Sequence, residues 1–336
     1  NRSPAWPRGV RNNAHVSQYY QKNPSKRLFN ARIKTMKKIL AAVVLFILIG
    51  AIAYLFIYPY DYIVRFEADA IPGTINQSVK LWHKTAGLPE TAVEQEDLEH
   101  FSHLVRVGDS VHRYNWEIEP LTDSTSRVIV KIRDQDHSLA NKVRVPFGGT
   151  AIEAASKKLV RNFAEQLNDH LDLFRVRIDG LSELPGTFYA YVELQTDQHG
   201  KAGGMMDHYQ LLSDVLFSGG VTLNGPPMII VDEWNRANDS LEYKFCFPIV
   251  RSDRLPEHPD IRYRRIFPNR ALKATYNGNY ITSDRAWYAL LDYAEKHGFE
   301  VEPTPVEVFY NNPTLGGDAT RWKADIFLPL KEDEGS

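Results

Sequence analysis

Two carboxylates near the end of the chain sit in patterns that could do chemistry. In "RWKADIFLPL" (321–330), Trp322, Ala324, Ile326 and Leu328 alternate with Lys323, Asp325 and Phe327. Period two reads as a strand with one apolar face, so Asp325 is a carboxylate on a strand. Glu307 lies in a second such run, "VEVFY" (306–310). If the two strands pair and the carboxylates share one cleft, proximity pushes one pKa upward and creates an acid–base pair. The spacing leaves open whether they meet; an edge charge paired with Lys323 or another base is the alternative for Asp325, a solvated strand charge for Glu307. Tyr276, Tyr280, Trp287 and Phe309 occupy neighbouring segments. Aromatic walls suit planar or cationic ligands. Core packing is the alternative for each, and the helical register of Trp287 with Leu290, Leu291 and Ala294 favours it for part of that ring.

Other chemistry finds less support. His100, His103 and His112 fall in "HFSHLVRVGDSVH". HExxH is absent, so these read as a polar strand face or loop and no metal is expected. "HGKAGG" (199–204) lacks the Walker spacing and reads as a loop. GxSxG is also absent. The single cysteine, Cys246, excludes an internal disulfide and reads as a buried, inert thiol in "YKFCFP". Arg262, Arg264 and Arg265 are too few for a nucleic-acid groove. No cofactor and no nucleic-acid partner is expected.

These residues need elements to hold them. With 336 residues, 43% hydrophobic and 24% charged, the chain reads as globular with two domains. Net charge is −2, but residues 1–35 hold eight Lys/Arg and no acid, so a basic segment precedes an acidic body. Residues 1–35 show no periodicity and are assigned no fold: either sequence upstream of a start at Met36, or a disordered arm. Residues 36–60 read as a transmembrane signal anchor. Its apolar run, Ile39–Ile57, has no charge and just spans a bilayer core of ~30 Å at ~1.5 Å per residue. The alternative is a cleaved signal peptide, for which Ala51-Ile52-Ala53 resembles a cleavage site. Lys34, Lys37 and Lys38 before the run put the N-terminus in the cytoplasm and the domains outside. "MKKILAAVV" has the form of a bacterial start, so the expected location is the bacterial inner membrane, crossed once.

Beyond the anchor, Tyr62–Ala68 alternates as a strand, and a helical pattern follows Pro72-Gly73. Strand-like runs come at 101–107, 111–118, 126–132 and 142–145. A long amphipathic helix then runs from Ile152 towards Phe174. This order resembles the START-like SRPBCC superfamily of polyketide cyclase and lipid-transport relatives, over residues 61–178. The resemblance implies a helix-grip fold around a cavity for hydrophobic ligands.

From 179 to 331 a pattern of strand, helix, strand and strand occurs twice, and Phe247-Pro248-Ile249 and Leu328-Pro329-Leu330 occupy matching places. Two facing sheets with a cleft on the pseudo-axis are expected; an acidic tail, 332–336, follows. "YNGNY" (276–280), "DRAWYALLDYAEKHGFE" (284–300), "TPVEVFYNNP" (304–313) and "KADIFLPL" (323–330) resemble the GyrI-like effector-binding family, whose domain also serves some bacterial transcription activators. The fold class is therefore α+β: a transmembrane helix, a START-like domain and a pseudo-twofold β-α-β-β domain. The family implies a pocket for lipophilic, often cationic or aromatic molecules, and some relatives hydrolyse strained electrophiles. Asp325 falls where the family has a pocket glutamate.

Three function classes fit. The first is a membrane-anchored binding or sensor protein that captures a hydrophobic or cationic small molecule. Its contacts would be Asp325, Glu307, Tyr276, Tyr280, Trp287 and Phe309. The second is a hydrolase, with Glu307 or Asp325 as general base and a tyrosine as proton donor. The third is a scaffold for another envelope protein, its partner unknown.

Overall fold

A computed structural model of the chain describes residues 24–86 and 93–331. Most of the basic segment and the acidic tail lie outside the described residues. The chain divides into two compact units, Asn1–Tyr58 and Pro59–Ser336. The first is a helix, α1 (Pro24–Ile52), ending in a π turn (Ala53–Ile57). It begins at Pro24, inside the segment assigned no fold, and Arg32, Lys34 and Met36 are good helix formers that carry it into the apolar run. From Arg32 to Ile57 it has 26 residues and is long and apolar enough to cross a membrane.

The second unit contains two sheets. The first is built from β1 (Tyr62–Ala68), β2 (Glu94–Gln95), β3 (His100–Val107), β4 (Ser110–Pro120) and β5 (Ser126–Asp134). Their order is β1-β5-β4-β3-β2, all antiparallel. Two helices, α2 (Pro72–Thr85) and α4 (Ala151–Leu171), pack on one face, and a short α3 (Ser138–Arg144) links sheet to α4. Alternation along β4 sends Tyr114, Trp116 and Ile118 inward. The interior expected to be hollow is filled. Phe163 of α4 lies edge-on to Trp116 with ring centroids 5.0 Å apart and to Trp82 of α2 at 5.4 Å. A solid core forms instead, because these rings are large enough to close the space between helix and sheet. The strand expected at 142–145 is instead the end of α3. Asp134 accepts from the backbone N–H of Asp136 and His137 and from the Asn141 amide, turning the chain into a helix.

The second sheet contains β6 (Arg175–Leu184), β7 (Thr187–Asp197), β8 (Met228–Asn235), β9 (Ser240–Ile249), β10 (Arg262–Ile266), β11 (Asn269–Asn277), β12 (Val306–Phe309) and β13 (Lys323–Pro329). The two repeats share one antiparallel sheet instead of forming two facing ones: β10-β7-β9-β8-β12-β13-β11-β6. The order reads the same from either edge once each strand is exchanged for its repeat mate, so the pseudo-twofold passes between β8 and β12. The links 185–186 and 267–268 are bends within two long antiparallel strands. They cross so closely that a Cβ on Gly186 would lie 2.6 Å from Pro268. The helices α5 (Lys201–Ser218) and α6 (Arg285–His297) lie on one face, over Phe245, Ile229, Ile326 and Leu328. The sheet begins at Arg175, ahead of the expected boundary at 179.

α2 ties the two sheets together. Gln77 donates to Tyr288 Oη of α6 (2.9 Å) and to Asp239 in the β8–β9 turn (3.0 Å). Lys80 pairs with the same Asp239 at 2.7 Å, and Lys84 with Asp197 ahead of α5. Burial lowers the Lys80 ammonium's pKa, and Asp239 opposes that shift. Asp239→Asn tolerates the left-handed backbone at this turn (φ 60°) but leaves Lys80 buried without its counter-charge. We expect a loss of about 2 kcal/mol in denaturant unfolding.

Two of the three clustered histidines are not on a polar face: His103 and His112 are buried, and only His100 is exposed, beside Asp97. His103 stacks on Tyr114, with the tilted ring of His83 5.1 Å away, and burial, then His83, push its pKa down to about 3. Below pH 6.5 the unfolded chain takes up a proton that the folded one refuses. Stability attributable to His103 is thus intact above pH 6.5. It is lost at up to about 1.4 kcal/mol per pH unit as pH falls towards 3. The thermal midpoint should drop on acidification from pH 7 to 4.5, and less steeply in His103→Phe.

Candidate functional site

A cavity of about 480 Å³ opens between α5 and two loops of the second repeat. Met205, Met206 and Tyr209 of α5 form one wall, with Pro226-Pro227 and Phe245 below. Tyr280, Phe309, Tyr310 and Trp322 form the other. None of the residues lining it is charged. Tyr280 is the centre of the aromatic wall, with its ring 4.7 Å from Phe309 and 5.6 Å from Trp322. Its hydroxyl donates to the Lys323 carbonyl and accepts from Asn311 N–H, fixing the 310–322 loop. Burial raises the hydroxyl's pKa to about 12. Tyr310 is likewise raised to about 12 by burial, then by Asp325. Both stay protonated at neutral pH and are weak proton donors.

Behind Tyr280 lies an ion pair with no exposed surface. Lys201 Nζ is 2.6 Å from Glu307 Oε1, and both side chains are 0% exposed. Ser283 Oγ completes the group, 2.6 Å from Lys201 Nζ and 2.6 Å from Glu307 Oε2. The ammonium also lies over the Trp287 ring at 4.7 Å. Lys201 comes from the "HGKAGG" segment, which is the turn and first turn of α5 and not a loop. Two of its three glycines have a packing reason: the Tyr243 hydroxyl, donating to the Lys201 carbonyl, fills the place of a Cβ on Gly204, and the Thr196 side chain fills that of one on Gly200.

Asp325 faces away from the cavity. The register pairs Val308 with Asp325 and Glu307 with Ile326. Glu307 and Asp325 therefore point to opposite faces of the sheet, and no shared acid–base pair forms. Asp325 is 2.9 Å from Lys273 and 3.1 Å from Lys323, and accepts from Tyr310 Oη at 3.0 Å. Burial alone would raise its pKa; these donors outweigh it and hold the carboxyl below the usual range.

Of the six residues singled out in the sequence, Tyr280 and Phe309 line the cavity. Trp287 and Tyr276 are fully buried in the core, the Tyr276 hydroxyl bonded to the Asn279 carbonyl and Thr282. Glu307 is sealed behind the wall and Asp325 beneath the sheet. Met205, Met206, Tyr209 and Trp322 were not foreseen as lining. Nor was Lys201, whose partner is over a hundred positions away; a charged residue opening an apolar helix was its only local signal. Among the described residues no group of His, Cys, Asp and Glu is placed to hold a metal.

The pair makes a sharp energetic prediction. Removing either partner strands a buried charge, so Lys201→Met and Glu307→Gln should each cost about 3–5 kcal/mol of stability. The double variant should recover most of that loss. A double-mutant cycle by urea unfolding measures the coupling.

The sequence model of the GyrI-like small molecule binding domain matches residues 181–331. No curated protein matches the chain. Among solved structures, the C-terminal domain of EcmrR is similar at 16% identity, covering 48% of this chain and 99% of that one, with a TM-score of 0.40. SAV2435 bound to tetraphenylphosphonium is similar at 11% identity over 46% of this chain and 94% of that one, TM-score 0.33. A hydrolase from Listeria innocua is similar at 11% identity over 45% and 92%, TM-score 0.31. Residues 181–331 of this chain are a GyrI-like small molecule binding domain.

Proposed function

We propose that this chain is a membrane-anchored binding protein whose GyrI-like domain captures a lipophilic small molecule. The observation that carries this reading is the cavity: about 480 Å³, walled by Tyr280, Phe309, Tyr310 and Trp322, with polar atoms at its rim from Asn279, Asn311 and Asn312. Size and lining are those of a site for a compact apolar ligand. On this reading α1 is the anchor and keeps the domain beside the bilayer in which such ligands concentrate. Its orientation, N-terminus in the cytoplasm, rests on the flanking lysines. The order of β1, α2, β2–β5 and α4 supports a START-like reading of the first domain. With its interior filled by aromatic rings, it serves the second domain as a support and not as a second pocket.

The hydrolase reading has one feature in its favour, the Ser283–Lys201–Glu307 contact. A nucleophile must reach its substrate, and Ser283 and Lys201 are fully buried. Binding without turnover fits better.

The test uses the full chain in lipid nanodiscs and triphenylphosphine oxide as an apolar probe, followed by equilibrium dialysis against empty discs. Saturable uptake of one probe per chain with unchanged probe mass is the expected result. Met206→Trp, at a half-exposed position on the cavity wall, should block uptake by filling the mouth. Catalytic consumption of the probe, or uptake indifferent to Met206→Trp, would overturn the reading.

A further inference from the structure

We propose that the outer face of α3 and of the turn after it lies in the lipid headgroup layer and seats the first domain on the bilayer. The inference is independent of the cavity and rests on one part of the proposed function, the reading of α1 as an anchor. α3 is folded inside out. Its inner side is polar: Ser138 donates to the Asp61 carboxylate, Asn141 donates to Asp134 at 2.9 Å, and Lys142 is buried, its charge acting on Asp61. Its outer side is apolar but for Arg144. Leu139 and Val143, one helical turn apart, are 51% and 52% exposed, and Phe147, in the 3-10 turn that follows (Val145–Phe147), is 88% exposed. A surface helix of a domain in water turns its sides the other way. Residues 138–147 contain no acid, and their two charges, Lys142 and Arg144, are both basic.

What covers this stripe follows from where it is tied. Asp61 accepts from Ser138 and from the backbone N–H of Asp134 at the end of β5. The same Asp61 follows Ile57, the end of the apolar run, by four residues, so the chain keeps it within roughly 14 Å of that end. On the anchor reading, that reach ends in or just above the headgroup layer. Ten residues with three large apolar side chains would bind a free membrane weakly. Tethered beside one, the stripe meets it at a high effective concentration. Arg144, at the edge of the stripe, has the charge and reach to meet a lipid phosphate.

The test uses the full chain in phosphatidylcholine nanodiscs, with a fluorescent dye on single introduced cysteines. Cys246 is fully buried and stays unlabelled. Lipids with a nitroxide on the headgroup or the acyl chain quench a dye beside them. A dye at Ala140→Cys, on the outer side of α3, should be quenched by the headgroup nitroxide. A dye at Ser124→Cys should not, because that turn lies beyond the other end of β5, roughly 27 Å off at ~3.4 Å per residue. A dye at Val44→Cys, inside the apolar run of α1, should be quenched by the acyl-chain nitroxide and reports on the anchor by itself. Val143→Asp/Phe147→Asp alters two exposed positions and should abolish quenching at Ala140→Cys while sparing that at Val44→Cys. Quenching at Val44→Cys without quenching at Ala140→Cys would overturn the inference and leave the anchor standing. Quenching at Ala140→Cys that survives the double change would also overturn it, since the tether alone would then account for it. An unquenched dye at Val44→Cys removes the anchor, and this inference falls with it.

Discussion

The buried pair between Lys201 and Glu307 is the contact around which the second domain is organised. Lys201 opens the helix of the first repeat, and Glu307 belongs to a strand of the second. Their bond, shared with Ser283 just ahead of α6, pins the repeats across the pseudo-axis. Because both groups are out of water, each is held by the cost of leaving the other unpaired. The aromatic wall is built on this fixed base. Ser283 Oγ, whose one proton goes to Glu307 at 2.6 Å, also lies 3.0 Å from the Tyr280 carbonyl, so the residue whose ring faces the cavity is placed beside the hydroxyl that binds the carboxylate behind it. Shape and electrostatics of the site have a common origin.

Around that base, a duplicated fold has become unequal. The cavity lies against α5, the turn before α6 and the loop after β12. The matching place on the other side of the pseudo-axis lies against α6, the turn before α5 and the turn after β8. That place is occupied by α2, through Gln77 on Tyr288, Lys84 on Asp197 and Lys80 on Asp239. Gln77 continues inward: Tyr288 Oη donates to Gln198 Oε1, and Gln198 donates to Asp284 beside Ser283. Hydrogen bonds thus run from the first domain to the neighbours of the ion pair, with Asp284 and Ser283 joined by the backbone.

Local pattern was enough for most elements. Alternation marked β1, β4, β5 and β13, and the step of three and four residues marked α4 and α6, because each buries one face. The repeat was visible because two copies of one packing problem keep similar apolar positions. What escaped depended on distant partners. α3 looked extended until Asp134 supplied its turn, and "HGKAGG" looked like a loop because the Tyr243 hydroxyl that makes Gly204 necessary lies far along the chain. The candidate site was half legible. Tyr280 and Phe309 were found through aromatic type and position in the motif. Asp325 and Glu307 were found as unusual charges, but which face each took depends on strand register, and which lysine each met depends on tertiary folding. Trp287 and Tyr276 carry the same side-chain types as the wall and are simply core.

The occupation of the matching cleft by α2 has a consequence for how this protein can respond to concentration. A duplicated receptor with two open mouths can show cooperativity between its halves, because filling one alters the other. Here one mouth is closed by a segment of the same polypeptide, so a free ligand would have to displace an intramolecular contact. On the proposed reading of the cavity as the binding site, occupancy within one chain follows a plain hyperbola, and any steeper response would have to arise between chains.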